Sequence, residues 1–275
     1  MKIGVWDSGI GGLSVFKEAL LRFPYCDICY LADTKRYPYG EKTESEISDY
    51  IKEALSFFSD KNCDAVIIAC STASTVFEKE KELSSYFLKG PVVTMLNEHL
   101  TNEIDLISTT REIGIISTRL TKKVNRFSDY ISSRVPDVKI FTNSAGKLVE
   151  LVTIGDTQTE KTYKIADEYL KPLFKQNIDA LIIGCTHFHF IMPVLKEICG
   201  SKIALIAPAP LSVEHLKNVL NYKDAFSSKR EIRLFVTGAP DEFFSSAVKI
   251  GHLTCPREKY KKVELISEEK TVSTK

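Results

Sequence analysis

The sequence lacks the features that mark several large classes of protein. No run approaches the ~20 consecutive apolar residues that a transmembrane helix needs. Neither sign of charge is in excess, because 37 basic residues stand against 36 acidic ones and the net charge is +1. We therefore expect no nucleic-acid or membrane partner. The initial MKIGVWDSGIGG is too short and too interrupted in its apolar part for a signal peptide, which predicts a cytoplasmic protein.

Cysteine occurs in an odd number, seven residues spread from Cys26 to Cys255. This count and spacing do not fit a disulfide framework, so reduced thiols are expected. Cys26 and Cys29 have Cys-x-x-Cys spacing, but Cys29 falls in an apolar run typical of a strand, and no second pair completes a zinc site. We interpret that pair as structural. The other thiols remain available for chemistry.

Short apolar runs alternate with amphipathic segments along the chain. Nine runs are typical of strands: residues 2–6, 28–31, 65–69, 92–95, 113–117, 138–142, 180–183, 203–206 and 234–237. Several are apolar throughout, as in strands covered on both faces. Helical periodicity is clearest in residues 45–59, 122–134 and 159–175. The alternation predicts an α/β fold with parallel sheets. The charged tail after Cys255 is expected to be a terminal helix or a frayed end.

Two parts of the chain repeat the same pattern. Residues 64–72, DAVIIACST, match residues 179–187, DALIIGCTH, so that an apolar strand twice ends in a small residue and a cysteine, followed by a hydroxyl residue. A weaker match, at a similar offset, sets residues 3–8 against residues 113–118. This repetition predicts two similar parallel-sheet domains related by pseudo-twofold symmetry. The expected boundaries are residues 1–97 plus 208–275 for the first domain and residues 98–207 for the second, inserted domain.

The two cysteines of the repeat, Cys70 and Cys185, each follow the carboxyl end of a predicted strand. Open parallel sheets bind ligands beyond this edge, where loops supply the chemistry. If the two copies face each other, their strand ends converge on one cleft. The two thiols then approach a bound molecule from opposite sides, and the active site is expected in the cleft between the domains.

Two thiols on opposite sides of one molecule suit the inversion of an amino-acid stereocentre. Removing the Cα proton from one face and returning a proton to the other requires a base and a protonated partner. A thiol with an ordinary pKa of roughly 8.5 can be shifted toward either task. Asp7 and His187 are the nearest candidates to adjust the thiols. The developing charge needs preorganised donors, and the candidates are Ser8, Gly9, Gly11, Ser71, Thr72 and Thr186.

Each of these residues also has a plainer interpretation. A single cysteine at a strand end is usually buried and inert. Asp7 by itself suits capping of the following helix, and His187 by itself suits a structural role. The matched placement of Cys70 and Cys185 in the repeat makes a catalytic role about as well supported as a structural one.

Two further patterns imitate ligand sites. The segment Gly9-Ile10-Gly11-Gly12 lacks the spacing of nucleotide-binding loops, and its tight turn would suit a carboxylate equally well. His187 and His189 lie near Cys185, but alternate residues of an extended segment point opposite ways. We therefore predict no metal site.

Four motifs together resemble glutamate racemase, of the aspartate/glutamate racemase superfamily. They are DSGIGGL at residues 7–13, DT at 33–34 with YPYG at 37–40, ACSTAS at 69–74 and GCTH at 184–187. The resemblance covers about residues 1–250. It implies two α/β domains, the second inserted in the first, and a cofactor-independent enzyme that interconverts L- and D-glutamate. The implied product, D-glutamate, supplies peptidoglycan synthesis.

The resemblance also implies roles for individual residues. Cys70 is expected to be the base toward the D enantiomer and Cys185 the base toward the L enantiomer, with Asp7 and His187 as flanking acid/base groups. The substrate's charged groups are expected to be held by Ser8, Pro38, Tyr39, Gly40, Ser71, Thr72, Thr118 and Thr186. The implied partners are a small-molecule amino acid and, as a further expectation, a second copy of the chain.

The sequence departs from the family's pattern in four places. Ser71 stands where asparagine is usual, and residues 96–99, LNEH, replace an acidic-proline segment. Residues 144–154 lack a pair of glutamates, and Pro208 stands where aspartate is common. Two alternatives therefore stay open: a racemase for another amino acid such as aspartate, and a racemase-fold binding or regulatory protein with weak turnover.

Overall fold

A computed structural model of the protein describes residues 1–223, 230–253, 259–263 and 265. The strands in this part are β1 (Lys2–Asp7), β2 (Asp27–Ala32), β3 (Ala65–Ile68), β4 (Val92–Val93), β5 (Glu112–Ser117), β6 (Lys139–Ser144), β7 (Ala180–Gly184), β8 (Ala204–Ile206), β9 (Ile232–Val236) and β10 (Tyr260–Lys262). The helices are α1 (Leu13–Arg22), α2 (Glu44–Asp60), α3 (Ser71–Lys79), α4 (Glu98–Ile107), α5 (Arg119–Val124), α6 (Arg126–Ser132), α7 (Gly146–Thr153), α8 (Glu160–Phe174), α9 (Met192–Cys199), α10 (Pro208–Val219) and α11 (Pro240–Lys249). Short 3₁₀ helices cover Tyr39–Glu41, Lys81–Tyr86 and Thr186–Ile191.

The strands form two parallel sheets whose strand orders correspond. The six-stranded sheet has the order β10-β9-β2-β1-β3-β4, and the four-stranded sheet has the order β6-β5-β7-β8. Strand β5 therefore lies between β6 and β7 as β1 lies between β2 and β3. The registers also agree, since Ile3 pairs with Ala65 in one sheet and Ile113 pairs with Ala180 in the other. The predicted α/β fold with two parallel sheets is confirmed.

Helices cover both faces of the larger sheet, which explains why its central strands are apolar throughout. Ile3 and Val5 of β1 pack in one core cluster with α1, whereas Trp6 packs in the other with α2. Successive side chains of a strand point to opposite faces, so a strand buried on both sides has no polar positions to alternate. All four residues of β3 are buried for the same reason.

Two predictions of secondary structure were wrong in detail. The predicted helix over residues 122–134 is divided into α5 and α6 at Asn125, whose backbone is left-handed with φ of 58°. Asparagine tolerates this conformation better than most residues, and a left-handed residue ends a helix. In the charged tail, Tyr260–Lys262 form β10 beside β9 rather than a helix. Most of that tail lies outside the described residues.

The chain passes between the two sheets at α4 and again at α10, and these helices pack against each other. Asn97 caps α4 by accepting a hydrogen bond from the backbone N–H of His99 at 3.1 Å. Its amide also donates to Ser212 of α10 at 3.2 Å. The expected domain boundaries fall beside these helices, and the boundary residues themselves stay a prediction. Within the described part of the chain, no helix combines the length and the apolar character needed to cross a bilayer.

Candidate active site

A cavity of about 370 Å³ opens at the carboxyl ends of β1, β3, β5 and β7. Both sheets contribute to its walls, because β1 and β3 belong to the larger sheet and β5 and β7 to the smaller one. The lining residues are Ser8, Tyr37, Pro38, Tyr39, Gly40, Glu41, Cys70, Ser71, Thr72, Thr118, Arg119, Gly146, Val149, Glu150, Thr153, Ile154, Cys185, Thr186 and His187. The structure thus brings into the cavity wall every residue that the sequence singled out for the site except Asp7, Gly9 and Gly11. Asp7 lies directly behind this wall.

The glycines after β1 allow the two sheets to approach each other at this edge. A Cβ atom on Gly11 would collide with the Thr186 side chain and lie 2.6 Å from Nδ1 of His187. A Cβ on Gly12 would collide with Asp7. The glycine-rich segment is therefore a close-packed turn against the Cys185 loop, as its sequence suggested, and the requirement for glycine there is steric.

Asp7 is fully buried beneath the cavity and is held by two donors. The backbone N–H of Gly9 donates to Oδ1 at 2.8 Å, and the Thr186 hydroxyl donates to Oδ2 at 3.0 Å. Burial raises the pKa of Asp7 to about 6, against the opposing effect of these hydrogen bonds. A carboxyl group with this pKa exchanges protons near neutrality. Asp7 is not the N-cap residue of α1, which is Gly12, although the backbone N–H of Gly12 also lowers the pKa of the Asp7 carboxyl group.

Cys70 lies at the end of β3, where α3 begins at the next residue. Its side chain is 5% exposed, and its thiol donates to the hydroxyl of Ser8 at 3.8 Å. Burial and, to a smaller extent, the charge of Asp7 raise the pKa of Cys70 to about 12. The backbone N–H groups of Thr72 and Ala73 oppose that shift. The thiol is therefore protonated at neutral pH, beside groups that stabilise a thiolate.

Cys185 occupies the corresponding place after β7, and it is also 5% exposed. Burial raises the pKa of Cys185 strongly, while the backbone N–H groups of His187 and Phe188 lower it. A charge on Cys70 would raise the pKa of Cys185, so the two sulfur atoms interact electrostatically across the cavity. The sequence repeat has placed two protonated thiols, one from each sheet, in the same cavity.

His187 is 3% exposed and neutral at physiological pH, because burial lowers its pKa to about 4. Among the described residues its buried Nε2 has no hydrogen-bond partner. Its ring lies 5.4 Å from that of Tyr37. The segment Thr186–Ile191 is a 3₁₀ helix rather than the extended segment expected, so the argument from alternating residues does not apply. Only His187 of the two predicted histidines lines the cavity.

Three threonine hydroxyls join the two sheets at the other end of the cavity. Thr72 lies 2.9 Å from Thr118 and 3.0 Å from Thr121, and Thr118 lies 2.9 Å from Thr121, each measured between Oγ1 atoms. Thr118 also caps α5. These contacts place two of the three predicted substrate-binding threonines, Thr72 and Thr118, in one network. A ligand with acceptor oxygens could take over one of its donors.

The segment around Pro38 and Gly40 forms a further wall, and Asp33 anchors it. Asp33 accepts hydrogen bonds from the hydroxyl of Tyr39, from Arg36 at 2.6 Å and from Thr237 at 2.7 Å. Because Tyr39 donates its hydroxyl proton to Asp33, its ring and backbone are what it presents to the cavity. The prediction that Tyr39 holds the substrate's charged groups therefore concerns its backbone rather than its hydroxyl.

Sequence reasoning missed the contribution of α7. Val149, Glu150, Thr153 and Ile154 line the cavity, and the Tyr37 hydroxyl lies 2.7 Å from that of Thr153. Thr153 and Ile154 stand where the resemblance implies glutamates, but Glu150 supplies a carboxylate one helical turn earlier. The sequence could have indicated this role for Glu150, because Glu150 and Thr153 are three residues apart and therefore share a helix face.

Arg119 and Glu41 are the other lining residues that sequence reasoning did not select. They lie 3.9 Å apart and are mostly exposed. Arg119 is the one Lys or Arg among the described residues that line the cavity. Anionic groups inside the cavity would therefore be held mainly by hydroxyls and backbone N–H groups.

Comparisons with known proteins agree with this geometry. The sequence profile described as Asp/Glu/hydantoin racemase matches residues 24–216. The chain belongs to the Asp/Glu/hydantoin racemase family. Within this family it is 35% identical over 246 residues to a glutamate racemase from Sulfurihydrogenibium sp., covering 88% of this chain and 91% of that protein. The resemblance seen in the motifs is confirmed.

Solved structures of racemases of this family extend the agreement to the fold. A glutamate racemase from Bacillus anthracis has a TM-score of 0.86 at 26% identity, covering 96% of this chain and 97% of that one. A glutamate racemase from Francisella tularensis, solved in complex with D-glutamate, has a TM-score of 0.84 at 28% identity, with 97% of both chains covered.

Proposed function

We propose that this protein is a glutamate racemase that interconverts L- and D-glutamate with Cys70 and Cys185 as its two acid/base groups. The observation that carries the proposal is that matched loops of the two sheets each bring one buried thiol to the same cavity. Membership of the racemase family and the full-length likeness to glutamate racemases support the same reaction.

The proposed reaction moves one proton off Cα and another onto it. With D-glutamate bound, the Cys70 thiolate removes the Cα proton and the Cys185 thiol donates its proton to the opposite face. The reverse reaction uses Cys185 as base and Cys70 as acid. Each turnover leaves the protonation states of the two sulfurs exchanged, so that no net proton is consumed.

Substrate binding is the step that makes one thiol basic. Burial favours the neutral form of both thiols, and the ammonium group of a bound amino acid brings the positive charge that lowers a thiol pKa. Asp7, with its pKa near neutrality, and the neutral His187 are the groups that accept the thiol protons. This assigns Asp7 to the Cys70 side and His187 to the Cys185 side.

The substrate's carboxylates meet the hydroxyls of Ser8, Ser71 and Thr72, the network around Thr118, and the backbone N–H groups at the start of α3. These donors are fixed before the substrate arrives, so they also stabilise the charge that develops on the α-carboxylate as Cα loses its proton. Arg119 at the mouth contributes attraction over a longer range. No cofactor enters the proposed chemistry.

The cellular role that we propose is the one implied by membership of the family. We infer that the D-glutamate product supplies peptidoglycan synthesis, that the protein works in the cytoplasm, and that it forms a homodimer. A small-molecule substrate is supported by the related enzyme from Francisella tularensis, whose structure holds D-glutamate.

A deuterium-exchange panel tests the proposed substrate. The purified protein is incubated in D₂O with individual L- and D-amino acids, and incorporation at Cα is followed by mass spectrometry together with chirality. We expect exchange and inversion with glutamate well above that with aspartate. Faster exchange with aspartate would assign another amino acid to the cavity, and ligand binding without exchange would favour the binding or regulatory alternative.

Measuring Cα proton exchange separately from D- and L-glutamate tests the roles proposed for Cys70 and Cys185. Cys70→Ser is expected to slow removal of the proton from D-glutamate more than from L-glutamate, and Cys185→Ser is expected to do the reverse. A serine hydroxyl is a poor base but still carries a proton to donate. Equal losses in both directions for both variants would contradict the assignment of one thiol to each enantiomer.

A further inference from the structure

A cluster of two histidines and a glutamate lies apart from the cavity, at the place where the chain passes between the sheets. Glu98 and His99 begin α4, and His215 lies on α10, the helix by which the chain returns. Glu98 and His99 belong to residues 96–99, one of the places where the sequence departs from the family's pattern. Nothing in the proposed reaction uses this cluster.

The side chains of the cluster present three ligand atoms to a common point. One atom each of Glu98, His99 and His215 lies within 4.8 Å of the other two. The two imidazole rings are 5.6 Å apart at 64°. Ligand atoms around a tetrahedral zinc ion are about 3.4 Å apart, as metal–ligand distances of ~2.0–2.1 Å require. Glu98 is 66% exposed, so its carboxylate can close the remaining distance by a change of rotamer.

One ring nitrogen of each histidine is placed so that its lone pair can bind a metal ion. Nδ1 of His215 is buried and has no hydrogen-bond partner among the described residues, although Glu98 lies 3.5 Å away. On α10 one turn later, the side-chain amide of Asn218 lies 3.0 Å from Nε2 of His99. A ring nitrogen that accepts a hydrogen bond from this amide N–H carries no proton of its own. Its lone pair can therefore bind a metal ion in place of the amide.

The carboxylates around the cluster favour the binding of a cation. Glu98 lies 3.5 Å from Nδ1 of His215, and both Glu98 and Glu78 place negative potential at the His215 ring. The amino-terminal end of α4 disfavours a cation, and the carboxylate of Glu98 in its first turn offsets that effect.

We propose that Glu98, His99 and His215 form a binding site for one divalent transition-metal ion of the zinc class. Two imidazoles and one carboxylate form a ligand set that such ions prefer, with water completing the tetrahedron. The site differs from the sequence-based expectation of no metal, because the two histidines are far apart in the chain and only the packing of α4 against α10 brings them together. It does not rest on the proposed racemase reaction.

A metal ion at this position would join the two helices at the crossing between the sheets. Glu98 and His99 lie where the chain enters the smaller sheet, and His215 where it leaves. A bound ion would therefore stabilise the folded protein without contact with the cavity, because it binds a geometry that the unfolded chain does not have.

Titration with Co²⁺ tests the site, because the absorption of this ion distinguishes nitrogen and oxygen ligands from thiolates. The full chain, freed of metal with a chelator, is titrated while its visible spectrum is recorded. We expect one equivalent of Co²⁺ to bind with micromolar Kd and without a thiolate charge-transfer band. His99→Gln and His215→Gln are each expected to weaken binding at least about tenfold, and Zn²⁺ is expected to raise the Tm of the unmodified protein but not of these variants.

His252→Asn is the matched control, since His252 is an exposed histidine outside the cluster. Its left-handed backbone, with φ of 47°, suits asparagine, and this variant should bind Co²⁺ unchanged. Glu98→Gln removes an exposed ligand and tests the site without disturbing the packing of α4. The proposal would be overturned by no binding below about 1 mM Co²⁺, by histidine variants that bind Co²⁺ as tightly as the unmodified protein, or by a thiolate spectrum.

Discussion

The loops that follow β3 and β7 are two versions of the same structure with different surroundings. Each carries a thiol that is 5% exposed, immediately after a buried strand and before a helical turn. The Cys70 thiol donates a hydrogen bond to Ser8, and the charge of Asp7 raises its pKa. The Cys185 loop continues as a 3₁₀ helix that brings His187 into the cavity wall.

The comparison of the two loops distinguishes the features that place each thiol from the groups that determine whether the thiol is protonated. Position comes from the repeated part, because the strand register is the same in both copies and a helical segment follows each thiol. In the proposed mechanism, proton control comes from the parts that are not repeated, the Asp7 carboxyl group assigned to Cys70 and the His187 imidazole assigned to Cys185. Burial shifts the pKa of Asp7 upward and that of His187 downward, so each is kept closer to its neutral form.

The largest effect is expected from removing either thiol. If the two copies are equally necessary, Cys70→Ala and Cys185→Ala should each lower kcat by at least about a thousandfold in both directions, as loss of a group that acts as part of a unit does. Circular dichroism and Tm should show a folded protein. Near-normal turnover by either variant would mean that one thiol serves both faces, and the two-base mechanism would be wrong.

The next largest effect concerns the opposite pKa shifts of Asp7 and His187. Between its ordinary pKa of 3.8 and about 6, folded Asp7 binds a proton that the unfolded chain does not, so stability falls as pH rises. Between about 4 and its ordinary pKa of 6.5, His187 is protonated only in the unfolded chain, so stability rises with pH. Each contribution is about 3 kcal/mol at 1.36 kcal/mol per pKa unit.

Substituting the two residues should therefore change the pH dependence of unfolding in opposite directions. Relative to the unmodified protein, Asp7→Asn should gain stability at pH 7 over pH 4, and His187→Gln should gain it at pH 4 over pH 7. Urea denaturation at both pH values measures this. Glu150→Gln, at an exposed carboxylate of the same cavity, serves as the control and should show no measurable difference. Shifts of the same sign for Asp7 and His187 would contradict distinct proton control in the two loops.

The sequence predicted the fold well where patterns are local. The strands were identified because they are continuous apolar runs, and the two thiols because the segments DAVIIAC and DALIIGC repeat. The break at Asn125 was missed because the helical periodicity continues through it. Strand β10 was missed because three residues, Tyr260–Lys262, with two lysines carry no strand signal of their own and depend on β9.

The site was predicted only as far as its motifs extend. Residues such as Ser8 and Thr186 sit at strand ends, where topology alone brings them together. The contribution of α7, with Glu150 and Thr153, depends on how that helix packs across the cavity. Likewise, the donation of the Tyr39 hydroxyl to Asp33 could not be read from their positions in the chain.

A smaller effect is expected from widening the contact between the two loops. Gly11→Ala places a Cβ against Thr186 and 2.6 Å from His187 Nδ1, and it should cost about 1–3 kcal/mol of stability and lower kcat/KM. Gly146→Ala, also at the cavity wall, has no atom within 4 Å of the new Cβ and should leave stability unchanged or slightly higher. Equal effects of the two substitutions would show that the close approach of Gly11 is not needed.

The smallest effect is expected at the hydroxyls that follow the thiols, and it tests how far the likeness of the two loops extends. Thr186 donates to Asp7, whereas the Ser71 side chain makes no hydrogen bond within the described part of the chain. Thr186→Val should therefore lower kcat by raising the pKa of Asp7 further. Ser71→Ala should raise KM for glutamate by about three- to tenfold at unchanged kcat, since one neutral hydrogen bond contributes about 1 kcal/mol. A large loss of kcat in Ser71→Ala would place that hydroxyl in the proton transfer, and the two loops would then differ less than their surroundings indicate.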